Sequence, residues 1–146
     1  MFDGFGLNLF DLSRLSGAKT RSISAENKTG GKGCGGRAEQ GTGASCADGL
    51  GRGWKISPSI KIAPGEIVTL AEIEGPGAIQ SIWMAGTLNR NSILRFFWDE
   101  QQAPSVEVPL PHFFAFGLEY PLDDTTNRFA TLQSIPVMVA PNGGYS

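Results

Sequence analysis

Gly51-Arg52-Gly53-Trp54 leads into Lys55-Ile56-Ser57-Pro58-Ser59-Ile60-Lys61-Ile62 and then Ala63-Pro64-Gly65-Glu66. A second apolar run, Ile67-Val68-Thr69-Leu70-Ala71-Glu72-Ile73, is broken by Glu74-Gly75-Pro76-Gly77. A third, residues 78–84, contains Trp83. Short runs rich in Ile, Val, Thr and Trp between Pro-Gly punctuation predict successive antiparallel strands. Pro64 presets φ for the first corner and Gly65 supplies the positive φ of a type II turn. Gly75 and Gly77 around Pro76 are expected to do similar work at the second.

Downstream, Ile93-Leu94-Arg95-Phe96-Phe97-Trp98-Asp99 is the strongest strand candidate, with Leu94, Phe96 and Trp98 on its core face by the two-residue period. Ser105-Val106-Glu107-Val108-Pro109-Leu110 alternates, turning Val106, Val108 and Leu110 inward. A last strand is expected over 129–139, with Pro136 marking an edge or bulge. The closing Asn142-Gly143-Gly144 reads as a turn with no strand after it. About six or seven strands at roughly ten-residue spacing, with no segment long enough for a helical crossover, predict an all-β fold. The expectation is an incomplete antiparallel β-sandwich or jelly roll.

Upstream lies a short helix or arm over 7–16, with Leu9, Leu12 and Leu15 near one face. Residues 28–53 hold half of the 20 glycines. A loop this long is either functional or a flexible excursion, and ordering it is entropically costly. Leu50 and Trp54 are the expected pins. The expected organisation is one domain: arm 1–27, Gly-rich loop 28–53 and truncated sandwich 54–146.

At 146 residues with net charge −2, the chain has single-domain length and no basic footprint for nucleic acid. No apolar run approaches a membrane span, and the N-terminus lacks a basic, apolar secretory leader. A cytoplasmic location, with free thiols at Cys34 and Cys46, is the expectation, although the two could pair. Metal is not expected, because the single His112 stands far from both cysteines.

Gly31-Lys32-Gly33-Cys34-Gly35-Gly36 matches G-x-G-x-x-G literally, but no strand precedes it and no helix follows. Gly30-Gly31-Lys32-Gly33 lacks the Ser or Thr that a P-loop needs after Lys. Neither supports a nucleotide site. Sugar recognition has better support, because aromatic faces stack on furanose rings while Arg, Asn and carboxylates hold hydroxyls. Trp54 beside Arg52 is the first candidate, and Arg21, Glu26 and Asn27 the second. The competing readings are core packing for Trp54 and an Arg21–Glu26 ion pair tying down the arm. His112 reads as an exposed loop side chain.

The ordered motifs carry a resemblance. Thr20-Arg21-Ser22-Ile23-Ser24-Ala25-Glu26-Asn27, Leu50-Gly51-Arg52-Gly53-Trp54-Lys55, Ile73-Glu74-Gly75-Pro76-Gly77-Ala78-Ile79-Gln80 and Ile82-Trp83-Met84 come in sequence. Leu94-Arg95-Phe96-Phe97-Trp98-Asp99 and Pro104-Ser105-Val106-Glu107-Val108-Pro109-Leu110 follow. Together they resemble the N-terminal part of glycoside hydrolase family 172, formerly domain of unknown function 2961. The resemblance implies a double jelly-roll parent, a homo-oligomer built from trimers, that needs no organic cofactor. It implies retaining hydrolysis of α-D-fructofuranosides, difructose anhydrides or α-D-arabinofuranosides. Family members are longer, and their catalytic glutamates are expected beyond Ser146, so no catalytic residue carries over. The sequence departs from the family pattern at Ser81, where His is expected, and at Pro111-His112, where Gly-Asp is expected. The alternative is a non-catalytic structural or carbohydrate-binding jelly roll.

Overall fold

The computed structural model describes residues 17–47, 49–86, 88–116, 132–133, 138–140 and 144–146. The expected arm helix over 7–16 lies outside them. The chain forms two compact units, Met1–Ala78 and Ile79–Ser146.

In the second unit, β1 (Ile93–Phe96) pairs antiparallel with β2 (Val106–Pro109). The register sets Leu94 opposite Val108 and Phe96 opposite Val106. Leu94 is buried and Phe96, Val106 and Val108 are half-buried, as the alternation predicted. Arg95 sits opposite Glu107 on the other face and binds it at 2.6 Å. The strand stops short of Trp98, which is therefore exposed rather than core. Asp99 and Glu100 both take positive φ, 48° and 60°, and the Gln101 N–H donates to the Trp98 carbonyl at 3.0 Å. Positive φ at both central positions marks a type I′ turn, set within the loop 97–105 that joins β1 to β2.

β2 runs straight into α1 (Leu110–Phe113), a single helical turn entered through Pro111. Leu110, Phe114 and Tyr145 form the buried cluster, with Ile82, Met84, Leu88 and Phe116 packed against it. A relay of rings joins hairpin to core. Phe96 stacks on Trp98 and Phe113, Phe113 meets Phe114 edge-on, and Phe114 reaches Tyr145, with centroids between 5.2 and 5.6 Å apart.

The strand expected over 129–139 is two strands. β3 (Leu132–Gln133) and β4 (Met138–Ala140) pair antiparallel, flanking the Pro136 region where the single strand was expected to bulge. β4 also pairs with β5 (Gly144–Tyr145), so a strand does follow the Asn142-Gly143 turn signal. The pull comes from Tyr145, whose ring belongs to the core and whose backbone exchanges two hydrogen bonds with Met84.

The chain upstream of β1, most of it in the first unit, corrects the reading more sharply. The runs over 55–62, 67–73 and 78–84 form no ladder among the described residues; their one β-bridge is Met84 with Tyr145. The first corner is nevertheless the type II turn expected: Gly65 has φ +79° and the Glu66 N–H bonds the Ala63 carbonyl at 3.0 Å. The second corner turns at a cis Gly75-Pro76 bond instead of a positive-φ glycine. Among the described residues Ile60, Ile62, Ile67, Leu70 and Ile73 are exposed, so no second layer packs on these runs there, and paired strands are marginal without one.

Pinning of the Gly-rich loop also differs, because Leu50 and Trp54 are exposed. Gly41 and Gly43 hold the loop instead, by letting its backbone touch residues 55–58. A Cβ on Gly43 would lie 2.7 Å from Pro58 Cδ and 2.8 Å from the Lys55 carbonyl. Gly43 N–H donates to the Ile56 carbonyl at 2.8 Å, and the Thr42 hydroxyl donates to the Ser59 carbonyl at 3.1 Å. Ile56 and Ala47 are buried in this unit.

Candidate functional site

The Gly53 N–H donates to the Gly36 carbonyl at 2.9 Å, with Gly51 and Gly53 both at positive φ. Arg52 pairs with Glu39 at 2.7 Å, its side chain and its partner's both well exposed. The Ile56 N–H then closes on the Trp54 carbonyl at 2.9 Å as Ile56 buries itself. Backbone is thus fixed on both sides of Trp54. Its side chain is 55% exposed and makes no ring contact among the described residues. Core packing, the competing reading for this residue, does not occur. A surface ion pair such as Arg52–Glu39 contributes less than about 1 kcal/mol and opens readily to a ligand hydroxyl.

Arg21, Glu26 and Asn27 are close in the chain but have separate jobs. Arg21 Nη1 donates to its neighbour's carbonyl, Thr20 O, at 2.8 Å, and the guanidinium stays exposed. The expected Arg21–Glu26 ion pair is not among the ion pairs of the described residues. Glu26 Oε1 instead accepts from the Ser57 N–H at 2.5 Å, tying together points 31 residues apart. Asn27 Nδ2 donates to Gly31 O at 3.0 Å and Ser22 O at 3.3 Å, while its Oδ1 is buried without a partner. The bonds these two side chains make, from Glu26 Oε1 and Asn27 Nδ2, all go to backbone. No hydrogen bond or ion pair among the described residues joins the Arg21–Asn27 group to Arg52 and Trp54.

A cleft of about 530 Å³ in the same unit is lined by Lys28, Thr29, Thr69, Leu70, Ala71, Glu72 and Glu74. Nothing in the sequence sets Glu72, expected on a strand, or Glu74, expected at a turn, apart from other surface carboxylates. That Lys28 and Thr29 line the same cleft as residues 69–72 and Glu74 had no sequence signal. His112 is half-buried rather than exposed, and its Nε2 is buried with no partner. Cys34 and Cys46 are free thiols. Among the described residues no group of three or more His, Cys, Asp or Glu could hold a metal ion. No helix among them is long and apolar enough to cross a membrane.

The family model described as the GH172 first beta-sandwich domain matches residues 47–137. That span is more than half of the chain, and the chain belongs to the GH172 glycoside hydrolase family, in the part that forms its first β-sandwich. No curated protein matches the sequence.

Proposed function

We propose that this chain supplies the first jelly-roll sandwich of a furanoside-acting hydrolase and contributes a sugar-contact surface at Trp54. The observation that carries the reading is Trp54, held by backbone bonds on both sides, exposed, and adjacent to an openable Arg52–Glu39 pair. An indole face takes the apolar face of a furanose ring, while the guanidinium and carboxylate meet ring hydroxyls. Arg21, with an exposed guanidinium, is a secondary contact. Glu26 and Asn27 serve as ties that shape the surface. The substrate class is a furanoside-containing oligosaccharide, and the parent enzyme is a homo-oligomer.

Retaining hydrolysis needs two carboxyl groups about 5–5.5 Å apart. We assign that pair to sequence outside this chain, so the chain alone binds without turnover. Titration with a methyl α-D-fructofuranoside or α-D-arabinofuranoside, followed by Trp fluorescence, tests the reading. Saturable quenching that Trp54→Ala abolishes is expected, with no free sugar released. Release of fructose or arabinose by the purified chain refutes the assignment of the carboxylates. Binding that survives Trp54→Ala refutes the surface.

A further inference from the structure

The net charge of −2 conceals a division along the sequence. Residues 19–61 hold eight of the twelve Lys and Arg but three of the fourteen Asp and Glu, a net of +5, which leaves −7 for the remainder. All eight cationic side chains are exposed. Two of the three carboxylates are occupied, Glu26 by the Ser57 N–H and Glu39 by Arg52. A one-sided charge of this size bears on what the surface attracts.

The Gly-rich loop gathers part of that charge around Trp54. The Gly53 N–H bonds the Gly36 carbonyl at 2.9 Å, and a Cβ on Gly36 would lie 3.7 Å from Gly53 Cα. Arg37 and Arg52 are the next residues on the two sides of that contact, and Trp54 and Lys55 follow Gly53 directly. Arg37 reaches back along its own loop, with Nη2 3.9 Å from where a Gly33 Cβ would stand, beside Lys32 in the chain. The Glu26–Ser57 bond ties the stretch that carries Lys28 to the stretch that carries Lys55. A guanidinium fork binds carboxylate or phosphate oxygens in pairs, and an ammonium adds a point charge. An exposed indole among such groups suits a ligand that has both a ring and an anionic group.

We propose that the surface around Trp54 takes an anionic saccharide, with Arg37, Lys32 and Lys55 holding its phosphate or carboxylate beside the stacked ring. The inference rests on the furanoside reading of Trp54 and adds the charge of the ligand. Nucleic acid also offers rings and phosphates. The chain belongs to a family of glycoside hydrolases, however, and the −7 on its other residues opposes a long polyanion.

Titration calorimetry of the whole chain tests it with methyl α-D-arabinofuranoside, its 5-phosphate and the matching 5-carboxylate. At low salt one of the two anionic forms is expected to bind ~10-fold or more tighter than the neutral glycoside. That preference shrinks as salt is raised to about 0.5 M, and it shrinks in Arg37→Gln and in Lys55→Gln. Neutral glycoside that binds through Trp54 as tightly as both anionic forms overturns this inference and leaves the furanoside reading standing. Failure of all three sugars to bind overturns both. A preference indifferent to salt and to both variants also overturns the proposal. So does inorganic phosphate or an oligothymidylate that binds as tightly as the anionic sugars, the first because the site then reads a bare anion and the second because it then reads nucleic acid.

Discussion

Glu100 holds φ at +60° directly after Asp99 at +48°. A left-handed backbone costs a residue bearing a Cβ roughly 1–2 kcal/mol, and Asp tolerates it better than Glu. Gly at position 100 escapes the steric term and loses part of the gain to its freer unfolded state. Glu100→Gly is therefore expected to stabilise the chain by about 0.5–1 kcal/mol, read as a higher urea midpoint with unchanged slope. Tyr145 offers a different handle. Burial pushes its phenol above the ordinary value. Below pH about 10 the hydroxyl is protonated whether the chain is folded or not, and its contribution is complete. Above that the unfolded chain ionises first, so stability falls as pH rises through the raised folded value. Urea titrations on both sides of that pH are expected to show the loss in the native chain and less of it in Tyr145→Phe.

At the scale of elements, sequence reading worked where one residue type decides one conformation. Pro64-Gly65 forced a type II corner, and the alternation of Leu94 and Phe96 with Val106 and Val108 found the buried face of the hairpin. It failed where the deciding partner is remote. Nothing near Glu26 announces that its carboxylate will cap Ser57, and nothing in Asp99-Glu100 announces a primed turn usually built with glycine. β5 was missed because Gly143-Gly144 punctuates locally, while Tyr145 is drawn into register by the core. The Gly-rich loop shows the same division. Its glycines were visible, but the ones that matter, 41 and 43, are set by contact with residues 55–58. Gly43→Ala is expected to cost about 1–3 kcal/mol from overpacking. Gly35→Ala, with open space around its Cβ position and no positive φ, should change the thermal midpoint little.

For the molecule as a whole, the described residues bury few large side chains. Ile56, Leu94, Leu110, Phe114 and Tyr145 are buried, whereas thirteen large hydrophobic residues are exposed, Trp54 and Trp83 among them. The sequence has the apolar content of a sandwich, and the family match over 47–137 agrees with that reading. What it did not disclose is that residues 55–83 would keep their corners while forming no ladder among the described residues. Corners are written in a few adjacent residues, whereas ladders need a second layer to hold them. The same gap separates the legible from the illegible at the candidate site. Trp54 beside Arg52 was readable from adjacency alone. The cleft between Lys28 and Glu72 required the fold.

The corner at 63–66 is stitched twice by its own atoms, with the Glu66 N–H on the Ala63 carbonyl and Glu66 Oε2 receiving the Ala63 N–H at 2.7 Å. It borrows nothing from distant sequence. Closures this short take nanoseconds, far faster than a ribosome adds the next amino acid. The corner at Pro64-Gly65 can therefore close during synthesis, before the residues on either side of it have found a neighbour.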